Sequence, residues 1–142
     1  MVKVVFDTVV FVRSLLNPFS RSGRLVFECA DDYTLVLSPP LIREILEVLQ
    51  RPEITRKFRA VEDLDMRRVL DLLAQATIVE LDDVPAISRD PKDDTILATA
   101  DVGDVDYIVS EDRDLVILKA HGRAKIVDTE TFLRLFEAAI GQ

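Results

Sequence analysis

Hydrophobic residues recur along this chain at two spacings, one typical of buried strands and the other of amphipathic helices. Short runs rich in β-branched residues predict strands at residues 2–6, 34–37, 77–81, 107–109 and 125–127. Apolar residues at helical spacing predict helices at about residues 9–16, 22–32, 38–52, 62–76, 90–101 and 129–139, with a short one near residue 115. Strands and helices therefore alternate along the chain.

This alternation favours a parallel sheet with helices on both faces. We therefore predict an α/β fold, a three-layer α/β/α sandwich around a central parallel sheet. Ser38-Pro39 and Asp90-Pro91 are typical helix starts, because proline at the first helical position lacks an N–H that would be unpaired there. Ser22 is predicted to cap the second helix. The chain has neither an internal repeat nor a linker, so residues 1–142 are expected to form a single domain.

The amino-acid composition excludes several classes of protein and the usual kinds of zinc site. With 49% hydrophobic and 31% charged residues, the chain can bury a core, which excludes a disordered tail or a fibre. Its apolar runs are far shorter than the roughly 18 residues of a membrane span, and it has no signal peptide, so we expect a cytoplasmic protein. Cys29 and His121 are the lone residues of their types, which excludes the usual zinc sites. Any metal would be held by carboxylates.

The net charge of −8 has the wrong sign for a protein that binds nucleic acid through its overall field. Either the protein does not bind nucleic acid, or its acids are concentrated where they hold cations. The positions of the acids decide between these alternatives.

Acidic residues follow several predicted strands at the edge where parallel α/β sheets bind ligands. Asp7 follows the first strand, Asp112 follows the fourth, and Glu44 lies in the helix after the second. Asp93 and Asp94 lie in the first turn of the helix that Asp90 opens. Converging carboxylates repel one another unless a cation intervenes, and hard oxygen ligands suit Mg²⁺ or Mn²⁺.

Each acid also has an ordinary structural interpretation when it is taken alone. Asp7 could be a turn residue or a helix cap, Asp90 an N-cap and Glu44 a solvated helix residue. Asp94 could interact with the helix dipole. The metal-site hypothesis therefore depends on the joint arrangement of the acids.

The segments that contain these acids occur at residues 4–8, 38–45, 89–100 and 106–115, and a further motif follows at residues 124–133. In this order they resemble the motifs of the PIN domain, and in particular of the VapC-like toxins of toxin–antitoxin systems. The family's four acids match Asp7, Glu44, Asp93 and Asp112, while Asp94 stands where a sister group has asparagine.

The resemblance implies a metal-dependent endoribonuclease that cleaves RNA phosphodiester bonds. It implies that Asp7, Glu44, Asp93 and Asp112 bind Mg²⁺ or Mn²⁺ as the catalytic centre. It also implies a cognate antitoxin protein and a homodimer as partners. Three candidate substrate contacts lie near these acids: the hydroxyls of Thr8 and Ser110 and the guanidinium of Arg13.

The sequence departs from the family pattern near the first and fourth acids. Val9 stands where the family commonly has asparagine or serine, a position whose hydrogen bonds support the site. Ser110 replaces the commoner threonine, and Glu111 replaces a frequent glycine and adds an acid. Two alternatives stay open: a non-catalytic PIN-like interaction module, and a PIN nuclease of RNA processing outside a toxin–antitoxin system.

Six basic residues are concentrated between residues 51 and 68 against four acids, for a local net charge of +2. They are Arg51, Arg56, Lys57, Arg59, Arg67 and Arg68. This stretch could face RNA, receive an acidic antitoxin segment or belong to a dimer surface. It could equally be a solvated helical hairpin.

Overall fold

A six-stranded sheet forms the centre of the molecule. The computed structural model describes residues 1–57, 63–81 and 91–140. The strands are β1 (Val2–Phe6), β2 (Tyr33–Leu37), β3 (Thr77–Ile78), β4 (Tyr107–Val109), β5 (Ala120–His121) and β6 (Ala124–Val127). Their order across the sheet is β3-β2-β1-β4-β6-β5.

Helices connect the strands. They are α1 (Thr8–Leu16), α2 (Arg21–Gly23), α3 (Pro39–Leu49), α4 (Pro52–Lys57), α5 (Asp63–Gln75), α6 (Pro91–Gly103), α7 (Arg113–Val116) and α8 (Thr129–Ile140). α2 continues into a π-helical turn at Arg24–Glu28 and a 3₁₀ turn at Ala30–Asp32. No helix among the described residues has the length and apolar character needed to cross a bilayer.

The strands β3, β2, β1, β4 and β6 run parallel, so their carboxyl ends lie at the same edge of the sheet. β1 lies between β2 and β4, which places Phe6 beside Val109 in register. The predicted α/β sandwich with a mostly parallel sheet is confirmed. β5 pairs antiparallel with β6 and makes the sheet mixed at one edge, a hairpin that the sequence pattern does not predict.

The second predicted helix begins earlier than expected and is not a regular α-helix. Ser20, not Ser22, is its N-cap, and the Gly23 N–H donates to Ser20 Oγ at 3.1 Å. Ser22 is buried within the helix. Gly23 lies so close to the preceding turn that an added Cβ would be 2.2 Å from the Pro18 carbonyl oxygen. This contact explains glycine in the first turn.

Two further differences concern element ends. β3 has only two residues instead of the predicted five, although the Val79 N–H still donates to the Leu37 carbonyl at 2.8 Å. The helix predicted to end at Pro52 ends at Leu49, and Pro52 opens α4 as its first residue. Asp90, the predicted cap of α6, lies outside the described residues.

An aromatic cluster fastens α8 to the sheet. Phe132 of α8 is fully buried, with its ring centroid 6.1 Å from that of Phe6 in β1 and 5.4 Å from that of Tyr107 in β4. Phe136 lies 5.0 Å from Phe132 in an edge-to-face arrangement. This packing fixes β1 and β4, the two strands that lead into Asp7 and Asp112.

Candidate active site

Asp7 lies at the carboxyl end of β1, immediately before α1. Its N–H donates to the Val109 carbonyl at 2.9 Å, which continues the pairing of β1 with β4. The side chain makes no capping hydrogen bond to α1, and instead Asp7 Oδ2 accepts from Ser110 Oγ at 2.8 Å. Asp7 therefore occupies the N-cap position of α1, but its carboxylate is held chiefly by Ser110 of the neighbouring strand end, with a smaller contribution from the backbone N–H groups of Val9 and Thr8.

Ser110 joins the first and fourth acids. Its hydroxyl donates to Asp7 and accepts from the Asp112 N–H at 2.9 Å. Asp112 in turn caps α7, because its Oδ1 accepts from the Asp114 N–H at 2.9 Å. Ser110 is fully buried, so the geometry favours a role in positioning Asp7 over the predicted contact with substrate.

A cleft of about 410 Å³ opens at this edge of the sheet and is lined by all four acids that the sequence singles out. The predicted substrate residues Thr8 and Arg13 line it as well, while Ser110 does not. The full lining is Asp7, Thr8, Val9, Val12, Arg13, Glu44, Val48, Arg51, Asp93, Glu111 and Asp112. Residues from four separate segments of the chain therefore meet here.

Two neighbouring acids, Asp93 and Asp94, are candidates for the third position of the site. Asp93 and Asp94 both lie in the first turn of α6, and both are nearly buried, with 5% and 6% of their surface exposed. Of the two, Asp93 lines the cleft. Glu44 reaches the cleft from α3 and is half-buried.

Burial makes the Asp7 carboxylate electrostatically unfavourable in the absence of a cation. Its side chain is 9% exposed, and this desolvation raises the pKa of Asp7 above its ordinary value. The negative charge of Asp112 raises the pKa further, whereas the Ser110 hydroxyl opposes the rise. A positive charge in the cleft would relieve this destabilisation.

The carboxylates do not form a closed metal cage. Within the described part of the chain, no group of three or more Asp, Glu, His or Cys side chains has the arrangement of a metal site. Mg²⁺ usually keeps several waters and binds proteins through one or two carboxylates. The pairing of the buried Asp7 with Asp112 fits that mode of binding.

Glu111 has a different role from the one its position suggests. One carboxylate oxygen, Oε1, accepts from the Thr129 N–H at 2.9 Å and also from the Thr129 hydroxyl, so it satisfies the start of α8. The other oxygen lies 3.7 Å from Arg13 Nη1. Glu111 lines the cleft but serves mainly as a bridge between α1 and α8.

Arg51, Val12 and Val48 also line the cleft, although the sequence analysis does not place them there. Glu44 and Val48 are four residues apart on one face of α3, and Arg51 continues this spacing two residues beyond the end of the helix. That spacing is the signal that could have identified Arg51 and Val48. Val9, at the position where the family has a polar residue, is 40% exposed on the opposite wall.

The basic stretch at residues 51–68 is only partly described. Arg68 lies over the Phe27 ring, 4.5 Å from its centroid, and donates to the Phe27 carbonyl at 3.2 Å. Arg67 is exposed. The side chains of Arg56 and Lys57, and all of Arg59, lie outside the described residues. The proposal of a basic surface therefore stays a prediction.

The raised pKa of Asp7 predicts that stability depends on pH. The folded state binds this proton more tightly than the unfolded state does. Without divalent cations, the free energy of unfolding therefore falls as pH rises from about 4 through the folded-state pKa, and stays lower above it. Asp7→Asn should lack this decline and be more stable than wild type at neutral pH. Urea denaturation in EDTA at several pH values tests this, with the exposed Asp31→Asn as control; identical profiles for wild type and Asp7→Asn would contradict it.

Solved structures share the fold. PAE2754 from Pyrobaculum aerophilum aligns with a TM-score of 0.57 over 96% of this chain and 90% of its own length, at 15% identity. VapBC2 from Rickettsia felis, solved bound to a DNA fragment from their promoter, aligns with a TM-score of 0.55 over 89% of this chain and 98% of its own, at 11% identity. At these identities the likeness concerns the fold alone. No curated protein matches the sequence.

The family assignment comes from the sequence profile of the PIN domain, which matches residues 3–114. This range contains β1 through the start of α7, and with them Asp7, Glu44, Asp93 and Asp112. The resemblance found in the motifs is thereby confirmed. The chain belongs to the PIN-domain family.

Proposed function

We propose that this protein is an Mg²⁺- or Mn²⁺-dependent endoribonuclease and the toxin of a toxin–antitoxin pair. PIN domains are generally nucleases. The observation that carries the proposal is that Asp7, Glu44, Asp93 and Asp112, from four separate segments, line one cleft. Converging carboxylates are unfavourable as structure alone, and a divalent cation removes the repulsion.

The four acids would hold the cation, with Asp7 and Asp112 as the pair that the structure couples through Ser110. When bound, the cation supplies positive charge that stabilises the phosphodiester during attack and lowers the pKa of water. A carboxylate of the cleft would orient the attacking water and accept its proton. Ser110 keeps Asp7 facing the cleft by donating to one of its oxygens.

Thr8 offers a hydroxyl that lacks a partner. Within the described residues, Thr8 Oγ1 is the one buried side-chain oxygen or nitrogen with no hydrogen-bond partner. A buried hydroxyl of this kind is stabilised by any ordered ligand or water that pairs with it. This supports Thr8, at the wall of the cleft, as part of the substrate or hydrated-cation site.

Arg13 and Arg51 are the candidate contacts for RNA phosphates beside the cleavage point. The cleft is lined by five carboxylates and these two arginines. Their present partners are weak, since Arg13 lies 3.7 Å from Glu111 and Arg51 lies 3.8 Å from Glu47. Ion pairs of exposed side chains contribute little, so a phosphate could replace either glutamate.

Arg51→Gln should weaken RNA binding with little effect on the rate of the bound complex. Loss of one phosphate contact reduces the slope of log Kd against log salt by about 0.7 for a single strand. Titrations of a catalytically inactive background at several salt concentrations measure this slope. Arg134→Gln, which loses a comparable exposed pair with Glu130 away from the cleft, is the control. An unchanged slope for Arg51→Gln would remove Arg51 from the substrate site.

The toxin assignment and its partners rest on the family and on one structural neighbour. That neighbour is a VapBC complex bound to promoter DNA, which supports a cognate antitoxin as partner of this chain. We further propose a homodimer and action in the cytoplasm, where the RNA substrate is found. An adjacent small gene for a DNA-binding protein whose product blocks cleavage would support the pairing.

The direct test of the function is cleavage of RNA by the purified protein with Mg²⁺ or Mn²⁺ and its loss in EDTA. The alternative from a different class is a non-catalytic PIN-like interaction module. Absence of both cation binding and cleavage would establish that alternative. Cleavage by a protein with no antitoxin partner would favour RNA processing outside a toxin–antitoxin system.

A further inference from the structure

A buried hydrogen bond joins the helices that carry Glu44 and Asp93. Ser38 Oγ lies 2.8 Å from Thr99 Oγ1, and both residues are fully buried. Thr99 Oγ1 also donates to the Thr95 carbonyl at 2.7 Å. Because a threonine hydroxyl has one proton, Ser38 is the donor in its bond to Thr99.

Ser38 makes this bond in place of its ordinary one. It occupies the N-cap position of α3, where a serine side chain usually accepts from a backbone N–H of the first turn. Its side chain makes no such capping bond. The hydroxyl that would stabilise its own helix is instead directed to a different helix, 61 residues further along the chain.

The same number of residues separates the bond from each of the two acids along its helix. Glu44 is six residues after Ser38 along α3, and Asp93 is six residues before Thr99 along α6. Both helices reach the same cleft with these acids. A shift of α6 relative to α3 would therefore change the separation of the two carboxylates.

Gly103 provides a second point of attachment for α6. An added Cβ at Gly103 would lie 2.6 Å from Val36 Cγ1, so the carboxyl end of α6 packs directly on β2. Thr99 and Gly103 are four residues apart and share one face of the helix. Two attachment points set the direction of α6, whereas one would leave its first turn, with Asp93, freer to move.

We propose that the Ser38–Thr99 hydrogen bond is a positioning device that sets the separation of Glu44 and Asp93, and through it the affinity of the cleft for a divalent cation. This inference rests on the proposed function of the cleft. Neither residue lines the cleft, so both act through the acids and not on the substrate.

The test compares two variants of Thr99. Thr99→Val removes the hydroxyl at nearly constant volume, whereas Thr99→Ser keeps the hydroxyl and removes only the methyl group. Calorimetric titration of the folded protein with Mn²⁺ should give a dissociation constant several-fold higher for Thr99→Val, below the roughly tenfold or greater loss that follows removal of a group bonded directly to a metal ligand. Thr99→Ser should return it close to wild type. Ser38→Ala removes the donor and tests the same bond if Thr99→Val does not fold.

Ser14→Ala is the matched control for a lost buried hydroxyl. Ser14 is also fully buried, and its hydroxyl donates to the Phe11 carbonyl at 2.6 Å within α1. The Ser14→Ala variant should have a lower free energy of unfolding but the same affinity for Mn²⁺ as the wild type. Equal Mn²⁺ affinity in folded Thr99→Val or Ser38→Ala and in wild type would overturn the positioning role while leaving the proposed function intact. A wild-type protein that binds no Mn²⁺ would overturn both.

Discussion

Replacement of Asp7 by asparagine is expected to lower the rate of metal-dependent RNA cleavage by about a hundredfold to a thousandfold, the effect typical of removing one preorganised electrostatic group. The carboxylate is the buried acid beside Asp112, and its charge is the part of the site that a cation would neutralise. Asparagine keeps an oxygen that can accept from Ser110, so the fold should persist. Single-turnover cleavage of RNA with Mg²⁺ and with Mn²⁺ measures the loss.

The same cleavage assay distinguishes Asp93 from Asp94, the two neighbouring acids of α6. Asp93→Asn should lose cleavage as Asp7→Asn does, whereas Asp94→Asn should retain much more, because only Asp93 of the two lines the cleft. Circular dichroism establishes that each variant is folded. Mg²⁺ should raise the melting temperature of the wild type but not that of Asp7→Asn. Cleavage that survives in both Asp7→Asn and Asp93→Asn would refute the site.

Truncation of Phe132 to alanine is expected to destabilise the protein by about 3–5 kcal/mol, the range for a fully buried phenylalanine. Phe132 contacts four other rings, and the residual cavity would lie where α8 meets β1 and β4. Urea denaturation measures the change in the free energy of unfolding. Leu135→Ala, on the exposed side of the same helix, should change it by less than about 0.5 kcal/mol.

The prediction for Phe132 concerns a part of the chain beyond the range that the PIN profile matches. The PIN profile ends at residue 114, and Phe132 lies in α8. A loss below about 1 kcal/mol would mean that α8 is only loosely packed on the sheet. A loss of the expected size would instead show that α8 belongs to the core that holds the acids in place. The hydrogen bond that the Thr129 N–H donates to Glu111 contributes to the same attachment.

Much of the fold and the approximate place of the site follow from the sequence. Runs such as residues 2–6 are mostly apolar and rich in valine, as a central strand requires, and Val4, Val5 and Phe6 of this run are buried. Once the strands are parallel, an acid directly after a strand must lie at the ligand-binding edge. That rule predicts the same sheet edge for Asp7 and for Asp112, three residues after β4, and the pairing of β1 with β4 then makes them neighbours.

The exceptions are cases in which a distant partner decides the outcome. Glu111 lines the cleft, but its carboxylate accepts from the Thr129 N–H at the start of α8, a partner 18 residues further along the chain. Ser38 could have capped α3, but Thr99 lies within reach. The β5–β6 hairpin is missed because Ala120-His121 has no strand pattern; its turn contains Gly122 at positive φ, and Lys119, just before β5, also has positive φ. The spacing of residue types along the sequence does not reveal partners that are distant in the chain.

The two outermost strands of the sheet, β3 and β5, are each only two residues long. A short outer strand presents few unpaired N–H and C=O groups to which a strand of another molecule could add. The sheet is therefore a poor template for intermolecular β-pairing. Concentrated solutions of the folded protein should resist fibril formation that begins at the sheet edges.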